Sequence, residues 1–203
     1  MTAPNVLIAF YSRNGSTEKM ALTVAEGAKS VGAEVRLRRA RDIVPPEVMA
    51  KVAGWAESAA RMNAAYPAPT PEDADWADAI VFGTPTRFGN ASAELKAYID
   101  SLGGLWFQGK LNDKVGSAFT STSTPHGGNE STIISLFNPL AHLGFIIVPT
   151  GYAHPAVFKA GSPYGATHVA GQHSAPPTGD ELEVARFQGK RVAHVAAALK
   201  AAR

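Results

Sequence analysis

The clearest fold signal in the chain is the segment Val6-Leu7-Ile8-Ala9-Phe10-Tyr11-Ser12-Arg13-Asn14-Gly15-Ser16-Thr17. Its first five residues are all apolar, as in a strand that is buried on both faces. After Thr17 the apolar residues recur at helical spacing, at Met20, Val24 and Ala28, before Gly32 ends the pattern. A buried strand that leads through a short polar turn into an amphipathic helix predicts a βα unit of a parallel sheet.

The same alternation continues along the chain. Further strands are predicted at 35–37, 80–82, 115–119 and 145–148, and further helices begin near Ser92, Ile133 and Thr178. We therefore predict one domain over residues 1–203, an α/β fold with a doubly wound five-stranded parallel sheet in the order 2-1-3-4-5 and helices on both faces. Two Pro-rich stretches, at about 40–75 and 150–177, exceed plain connections. The first contains a possible helix at 46–62, and the second is predicted to be functional or an interface.

Composition narrows the possible functions. The 203 residues include no Cys, which excludes disulfides, thiolate nucleophiles and Cys-ligated metal sites. A net charge of +2 is too small to indicate nucleic-acid binding, and no apolar run is long enough to predict a membrane span. Because the first residues also lack a signal-peptide pattern, we expect a cytoplasmic protein. His168 and His173 lack a third ligand at metal spacing, so we expect no bound metal.

Four arginines cluster around the second predicted strand: Arg36, Arg38, Arg39 and Arg41. A nucleic-acid patch is one interpretation of this cluster. We favour another, in which the arginines form the outward face of an edge strand, where charge prevents pairing with other chains.

Polar loops follow three of the predicted strands, at the edge of the sheet where ligands of such folds bind. The turn 11–17 combines hydroxyl groups, an amide and one glycine at a helix N-terminus, which is typical of an anion site. It matches neither GxxxxGK[ST] nor GxGxxG, so a phosphate monoester held by neutral donors is favoured over a dinucleotide, with a plain capped turn as the alternative. The loops 83–90 and 120–129 are also rich in Thr, Ser and Gly. Together they predict a site for a planar, phosphorylated ligand.

The motifs in these loops resemble those of the WrbA proteins, which are flavodoxin-like NAD(P)H:quinone oxidoreductases that carry FMN. The resemblance covers nearly the whole chain, and its most specific motif is Gly83-Thr84-Pro85-Thr86-Arg87-Phe88-Gly89-Asn90. It also includes the turn 12–17, Gly103-Gly104-Leu105-Trp106 and Pro163-Tyr164-Gly165-Ala166-Thr167. The resemblance implies a homotetramer in which neighbouring subunits complete each site.

The resemblance also assigns roles to individual residues. It implies that the FMN phosphate is held by Ser12, Arg13, Asn14, Gly15, Ser16 and Thr17. It implies that the isoalloxazine ring is bordered by Pro85, Thr86, Arg87, Phe88 and Gly89, and covered by Ser121, Thr122, Ser123, Thr124, Pro125 and Gly127. His142 would also approach the flavin, although its spacing alone favours a structural histidine, and Trp106 would form a wall of the substrate pocket.

The activity that the resemblance implies is the two-electron reduction of quinones to quinols. NADH or NADPH would give a hydride to FMN and leave, and the quinone would then occupy the same pocket. Two alternatives stay open: a flavodoxin-type electron carrier, and an FMN-bound scaffold without turnover. A receiver-type signalling domain is excluded, because Tyr11-Ser12 and Gly83-Thr84 offer none of the acidic residues that it requires.

Overall fold

The computed structural model describes residues 3–171 and 174–202, in which a parallel sheet is the central element. Its strands are β1 (Asn5–Phe10), β2 (Glu34–Arg39), β3 (Ala79–Pro85), β4 (Val115–Thr122), β5 (Ile146–Ile147) and β6 (Thr167–Val169). They run in the order β2-β1-β3-β4-β5, and β6 also pairs with β4. The predicted order 2-1-3-4-5 is therefore confirmed, with one additional short strand.

Helices cover both faces of this sheet. They are α1 (Ser16–Lys29), α2 (Pro46–Met49), α3 (Trp55–Ala65), α4 (Pro71–Trp76), α5 (Ala93–Ser101), α6 (Gly103–Phe107), α7 (Asn129–His142) and α8 (Gly179–Ala201). One apolar cluster joins the sheet to α1 and α8, and a second joins it to α4, α5 and α7. This two-faced core is what the doubly wound prediction requires.

The two helices α1 and α8 touch through their backbones. A Cβ atom on Gly27 would lie 2.0 Å from the carbonyl oxygen of Arg186, and one on Gly189 would lie 2.0 Å from that of Val24. Because no larger residue fits at either position, the two helices lock together at a fixed separation. This contact holds α1 against the sheet and so fixes the turn that precedes it.

The two long stretches contain more structure than predicted. The possible helix at 46–62 is divided into α2 and α3, and α4 follows it. In the second stretch a 3₁₀-helix (Pro155–Phe158) precedes β6. Residues 148–166 form an excursion between β5 and β6. Its two sides are joined by the Thr150 hydroxyl, which donates to the carbonyl of Ser162 at 2.6 Å. The loop predicted to start at 120 is also shorter, because β4 continues to Thr122.

The arginines of β2 divide between the two faces of the strand. Arg36 and Arg38 form ion pairs with Asp73 at 3.1 and 2.8 Å. Arg39 has no exposed surface, because strand alternation puts it on the same face as Val35 and Leu37. The edge position of β2 is therefore confirmed, whereas the outward orientation predicted for Arg39 is wrong.

Candidate functional site

The carboxyl ends of β1, β3 and β4 open into a cavity that is lined almost entirely by polar groups. The lining residues are Ser12, Arg13, Asn14, Ser16, Thr17, Pro85, Thr86, Arg87, Ser121, Thr122, Ser123, Ala170 and Ser174. Residues from all three predicted loops thus meet here, as parallel topology requires. Two of these residues, Ala170 and Ser174, are not predicted from the sequence, because they follow β6 and belong to no recognisable motif.

The turn between β1 and α1, residues 11–17, has the features of an anion site and is termed the anion turn. Gly15 has a φ of +95°, a left-handed conformation that favours glycine, and its N–H donates to the Ser12 hydroxyl at 3.0 Å. In the described part of the chain, the backbone N–H groups of Arg13, Asn14, Ser16 and Thr17 have no acceptor. These free donors coincide with the positive end of the α1 dipole. The turn therefore offers main-chain N–H groups to a negatively charged ligand.

The loop after β3 is held rigidly beside this turn. Arg87 and Asn90 form an isolated antiparallel β-bridge, in which the backbone N–H of each donates to the carbonyl of the other. The N–H of Thr86 donates to the carbonyl of Ser121 at 2.8 Å. The Thr86 hydroxyl lies 2.8 Å from that of Thr132, in the first turns of α7. Phe88 has a φ of +53° and a fully exposed ring. A bulky residue in the left-handed region indicates local strain, which is common at ligand sites.

The loop after β4 closes the other side of the cavity. It forms a tight turn, in which the Thr122 hydroxyl and the N–H of Gly127 both donate to the carbonyl of Thr124, at 2.9 and 3.0 Å. The residues from Ser123 to His126 are exposed. Several predicted residues therefore lie in the loops around the cavity and not among its lining: Gly15, Phe88, Gly89, Thr124, Pro125 and Gly127.

Two predicted residues lie elsewhere. His142 and Trp106 line a second cavity, together with Ile99, Asp100, Gly103, Pro139 and Leu143. His142 ends α7, whereas the start of α7 contacts the first cavity through Thr132. Fourteen residues of helix separate the two ends by about 20 Å. Within one chain, His142 and Trp106 therefore do not border the same cavity as the turn 12–17.

A charge cluster lies behind the first turn of α1. Arg61 donates to both carboxylate oxygens of Glu18, at 2.9 and 2.5 Å, and the Tyr66 hydroxyl donates to one of them at 2.9 Å. Burial acts to raise the pKa of Glu18, but these hydrogen bonds more than offset it and keep the pKa below its ordinary value. Arg61 thereby neutralises a carboxylate close to the anion turn. Neither partner carries a sequence signal, because their contact depends on how α3 folds back.

Comparison with protein families identifies the cofactor of the chain. The family of NADPH-dependent FMN reductases matches residues 6–158. The chain belongs to this family. FMN is therefore its cofactor, and the protein is an FMN-dependent NAD(P)H oxidoreductase.

Solved structures agree with the fold. The flavodoxin-like WrbA-like protein from Agrobacterium tumefaciens has 28% identity and a TM-score of 0.67, over 97% of this chain and 99% of that one. A flavodoxin from the domain Archaea has 16% identity and a TM-score of 0.62, over 95% and 99% of the two chains. Rubredoxin oxygen:oxidoreductase from Desulfovibrio gigas has 20% identity and a TM-score of 0.61, over 98% of this chain and 38% of that one. The predicted flavodoxin-like fold is confirmed.

The polar cavity at the carboxyl ends of β1, β3 and β4 fits this cofactor chemically. FMN carries a phosphate monoester, and none of the described lining residues has a carboxylate, whereas Arg13 and Arg87 are cationic. The hydroxyls and free N–H groups of the turn suit the phosphate oxygens.

The described ranges, which exclude His173, contain no group of three His, Asp or Glu residues that could hold a metal ion. No helix in these ranges is long and apolar enough to cross a membrane.

Proposed function

We propose that the protein is a WrbA-type enzyme that oxidises NADH or NADPH and reduces a quinone to its quinol. In this reaction NAD(P)H, a proton and a quinone give NAD(P)⁺ and a quinol, so that two electrons pass together. The observation that carries the proposal is the exposed ring of Phe88, held in a strained conformation next to the lining residue Arg87. A planar quinone needs a flat apolar surface of this kind at the opening of the cavity.

The residues of the cavity divide the work of holding the cofactor. When bound, FMN supplies the hydride chemistry that links the nicotinamide to the quinone. The turn 12–17 would hold the phosphate, and the loops 85–89 and 121–127 would border the flavin ring. Arg87 donates to the carbonyl of Thr86 at 3.0 Å and has no carboxylate partner among the described residues. Its charge would favour negative charge on the ring when the flavin is reduced.

We further propose a homotetramer in which the second cavity acts on a neighbouring copy of the chain. Trp106 is half-exposed, and its neighbour Phe107 is largely exposed. A second exposed aromatic pair, Tyr152 and Phe158, has ring centroids 5.0 Å apart. Exposed aromatic side chains and a charged fraction of only 18% suit surfaces that other subunits cover. Each chain would then present Trp106 and His142 to the flavin of another copy.

Anaerobic steady-state kinetics test the activity. FMN-loaded protein is mixed with NADH or NADPH and benzoquinone, and we expect sustained NAD(P)H oxidation with parallel double-reciprocal lines, because donor and acceptor use one pocket in turn. An electron carrier or a scaffold would show no steady-state consumption, which would refute the proposal. Light scattering on the same sample tests the tetramer.

Two neighbouring aromatic residues provide a matched pair of variants. Trp106 lines the second cavity and Phe107 does not. We expect Trp106→Ala to raise the KM for benzoquinone several-fold and Phe107→Ala to leave it unchanged. Both variants should still bind FMN, because neither residue lines the first cavity of its own chain. Equal KM values in all three proteins would contradict the assignment of Trp106.

A further inference from the structure

Arg39 is a charged residue with no exposed surface, located directly behind the anion turn. It is the last residue of β2 and pairs in register with Phe10, the last residue of β1. Its side chain is the largest that the described residues bury completely. Replacing a buried ion pair with apolar residues is often neutral or even stabilising. Stability alone therefore gives little reason for an arginine at this position.

The guanidinium group of Arg39 holds the backbone of the turn. One nitrogen, Nη2, donates to the carbonyl oxygen of Ser12 at 2.9 Å and to Oδ2 of Asp42 at 2.8 Å. The other, Nη1, donates to Oδ1 of Asn63 at 2.6 Å. The rigid fork of an arginine can make these contacts together, which a lysine cannot.

Asp42 keeps this cation in place. Its Oδ1 accepts hydrogen bonds from the Tyr11 hydroxyl at 2.7 Å and from Nε1 of Trp55 at 2.8 Å. Burial acts to raise the pKa of Asp42, but the hydrogen bonds from Arg39, Tyr11 and Trp55 keep it below its ordinary value. Asp42 is therefore ionised, and the ion pair with Arg39 persists under ordinary conditions.

The contact with Ser12 determines where the next N–H group points. In a trans peptide unit the carbonyl oxygen and the following N–H point in opposite directions. Because Arg39 binds the carbonyl of Ser12 from behind the turn, the N–H of Arg13 points away from Arg39. That N–H has no acceptor among the described residues, and Arg13 lines the cavity.

We propose that Arg39 and Asp42 are positioning residues that aim the N–H of Arg13 at the phosphate of the cofactor. The pair acts through the backbone and does not touch the ligand. Its effect is therefore specific to the phosphate group, so that it selects FMN over riboflavin. This role rests on the proposed placement of the phosphate in the turn 12–17, and it does not depend on the electron acceptor.

The test compares two flavins that differ only in the phosphate. The double variant Arg39→Met/Asp42→Asn removes both charges and leaves an amide at position 42, whose oxygen can still accept from Tyr11 and Trp55. Dissociation constants of FMN and riboflavin are measured on apoprotein by quenching of flavin fluorescence. We expect the value for FMN to rise about 10- to 100-fold and the value for riboflavin to stay within about threefold.

Two further variants keep the result interpretable. Arg36→Met removes the same charge from the same strand, but its partner Asp73 is not part of the turn, so both flavin affinities should stay unchanged. Arg39→Lys keeps the charge without the fork, and it should weaken FMN at least fivefold and spare riboflavin, even if the double variant does not fold. Parallel weakening of both flavins, or an unchanged FMN affinity, in a folded Arg39 variant would overturn the proposal.

Discussion

The hydroxyl oxygens of Thr17 and Ser121 lie 2.9 Å apart and join the first turn of α1 to the end of β4. Both side chains are almost completely buried, and both line the cavity at the carboxyl ends of the strands. One hydroxyl donates its hydrogen to the oxygen of the other. Each hydroxyl therefore fixes the direction in which its partner's O–H and lone pairs point. The pair thus links the start of α1 and the end of β4 into one preorganised surface.

This pair predicts coupled effects on FMN affinity. Thr17→Val and Ser121→Ala should each raise the FMN dissociation constant about fivefold, since a neutral hydrogen bond contributes about 1 kcal/mol. In the double variant the two effects should be less than additive, because each hydroxyl orients the other. Fluorescence titration of FMN into the unmodified protein, the two single variants and the double variant measures this coupling. The control is Ser117→Ala, also in β4. It removes the bond that this hydroxyl donates to the carbonyl of Val148 and the one that it accepts from Nε2 of Gln188, and it should leave FMN affinity unchanged. Strictly additive effects would contradict the coupling.

Two glycines at opposite ends of α1 separate backbone strain from binding. Gly15 and Gly32 have φ values of +95° and +88°, so alanine at either position should destabilise the protein by about 1 kcal/mol. Only Gly15 lies in the anion turn. We therefore expect similar decreases in urea midpoint for Gly15→Ala and Gly32→Ala, but weaker FMN binding for Gly15→Ala alone. Equal FMN affinities in the two variants would show that the turn does not hold the phosphate.

The ion pair of Arg61 and Glu18 predicts a salt-dependent effect. In Arg61→Ala the carboxylate of Glu18 loses its ion-pair partner in the first turn of α1, 3.6 Å from where a Cβ of Gly15 would be. Repulsion should then raise the FMN dissociation constant several-fold at low salt and less at high salt. Adding Glu18→Gln should restore the affinity. Removal of an exposed ion pair on α5 by Lys96→Ala is the control and should have no effect. A salt-independent loss would contradict the electrostatic explanation.

Glu181 predicts a loss of stability in acid. Burial acts to raise its pKa, but hydrogen bonds from His168 and from the N–H groups of Thr178 and Val169 lower it to about 2, against an ordinary value of 4.5. Since the folded pKa is the lower one, Glu181 stabilises the protein above about pH 4.5, and this contribution, on the order of 3 kcal/mol, disappears as the pH falls toward 2. Urea titrations between pH 2.5 and 6 should therefore show a weaker pH dependence in Glu181→Gln. Identical slopes in the two proteins would contradict this.

The fold was predictable because local patterns and topology agree. Buried strands gave continuous apolar runs, helices gave stripes at 3.6-residue spacing, and parallel topology then brought the polar loops to one edge. The burial of Arg39 also had a signal, because strand alternation puts it on the face of Val35 and Leu37.

The parts of the site that the sequence does not predict depend on contacts between residues far apart in the chain. Arg61 reaches Glu18 only because α3 folds back over the first turn of α1. Ala170 and Ser174 reach the cavity only because β6 returns to β4 after a long excursion. The separation of His142 from the cavity follows from the direction of α7, and a motif match does not distinguish contacts within one chain from contacts between copies.

The interruption of the edge strand has a consequence for engineering. Ile147 pairs with Gly116 and Thr167 with Thr120, so three positions of β4 lie between the two segments, whereas nineteen residues, 148–166, connect them along the chain. A linker of three residues would span the same distance in a continuous strand. The ends of this excursion belong to the core, since Val148 and Ala166 are buried against the sheet. A graft is therefore expected to be tolerated only between them and away from the buried residues Ala156 and Val157.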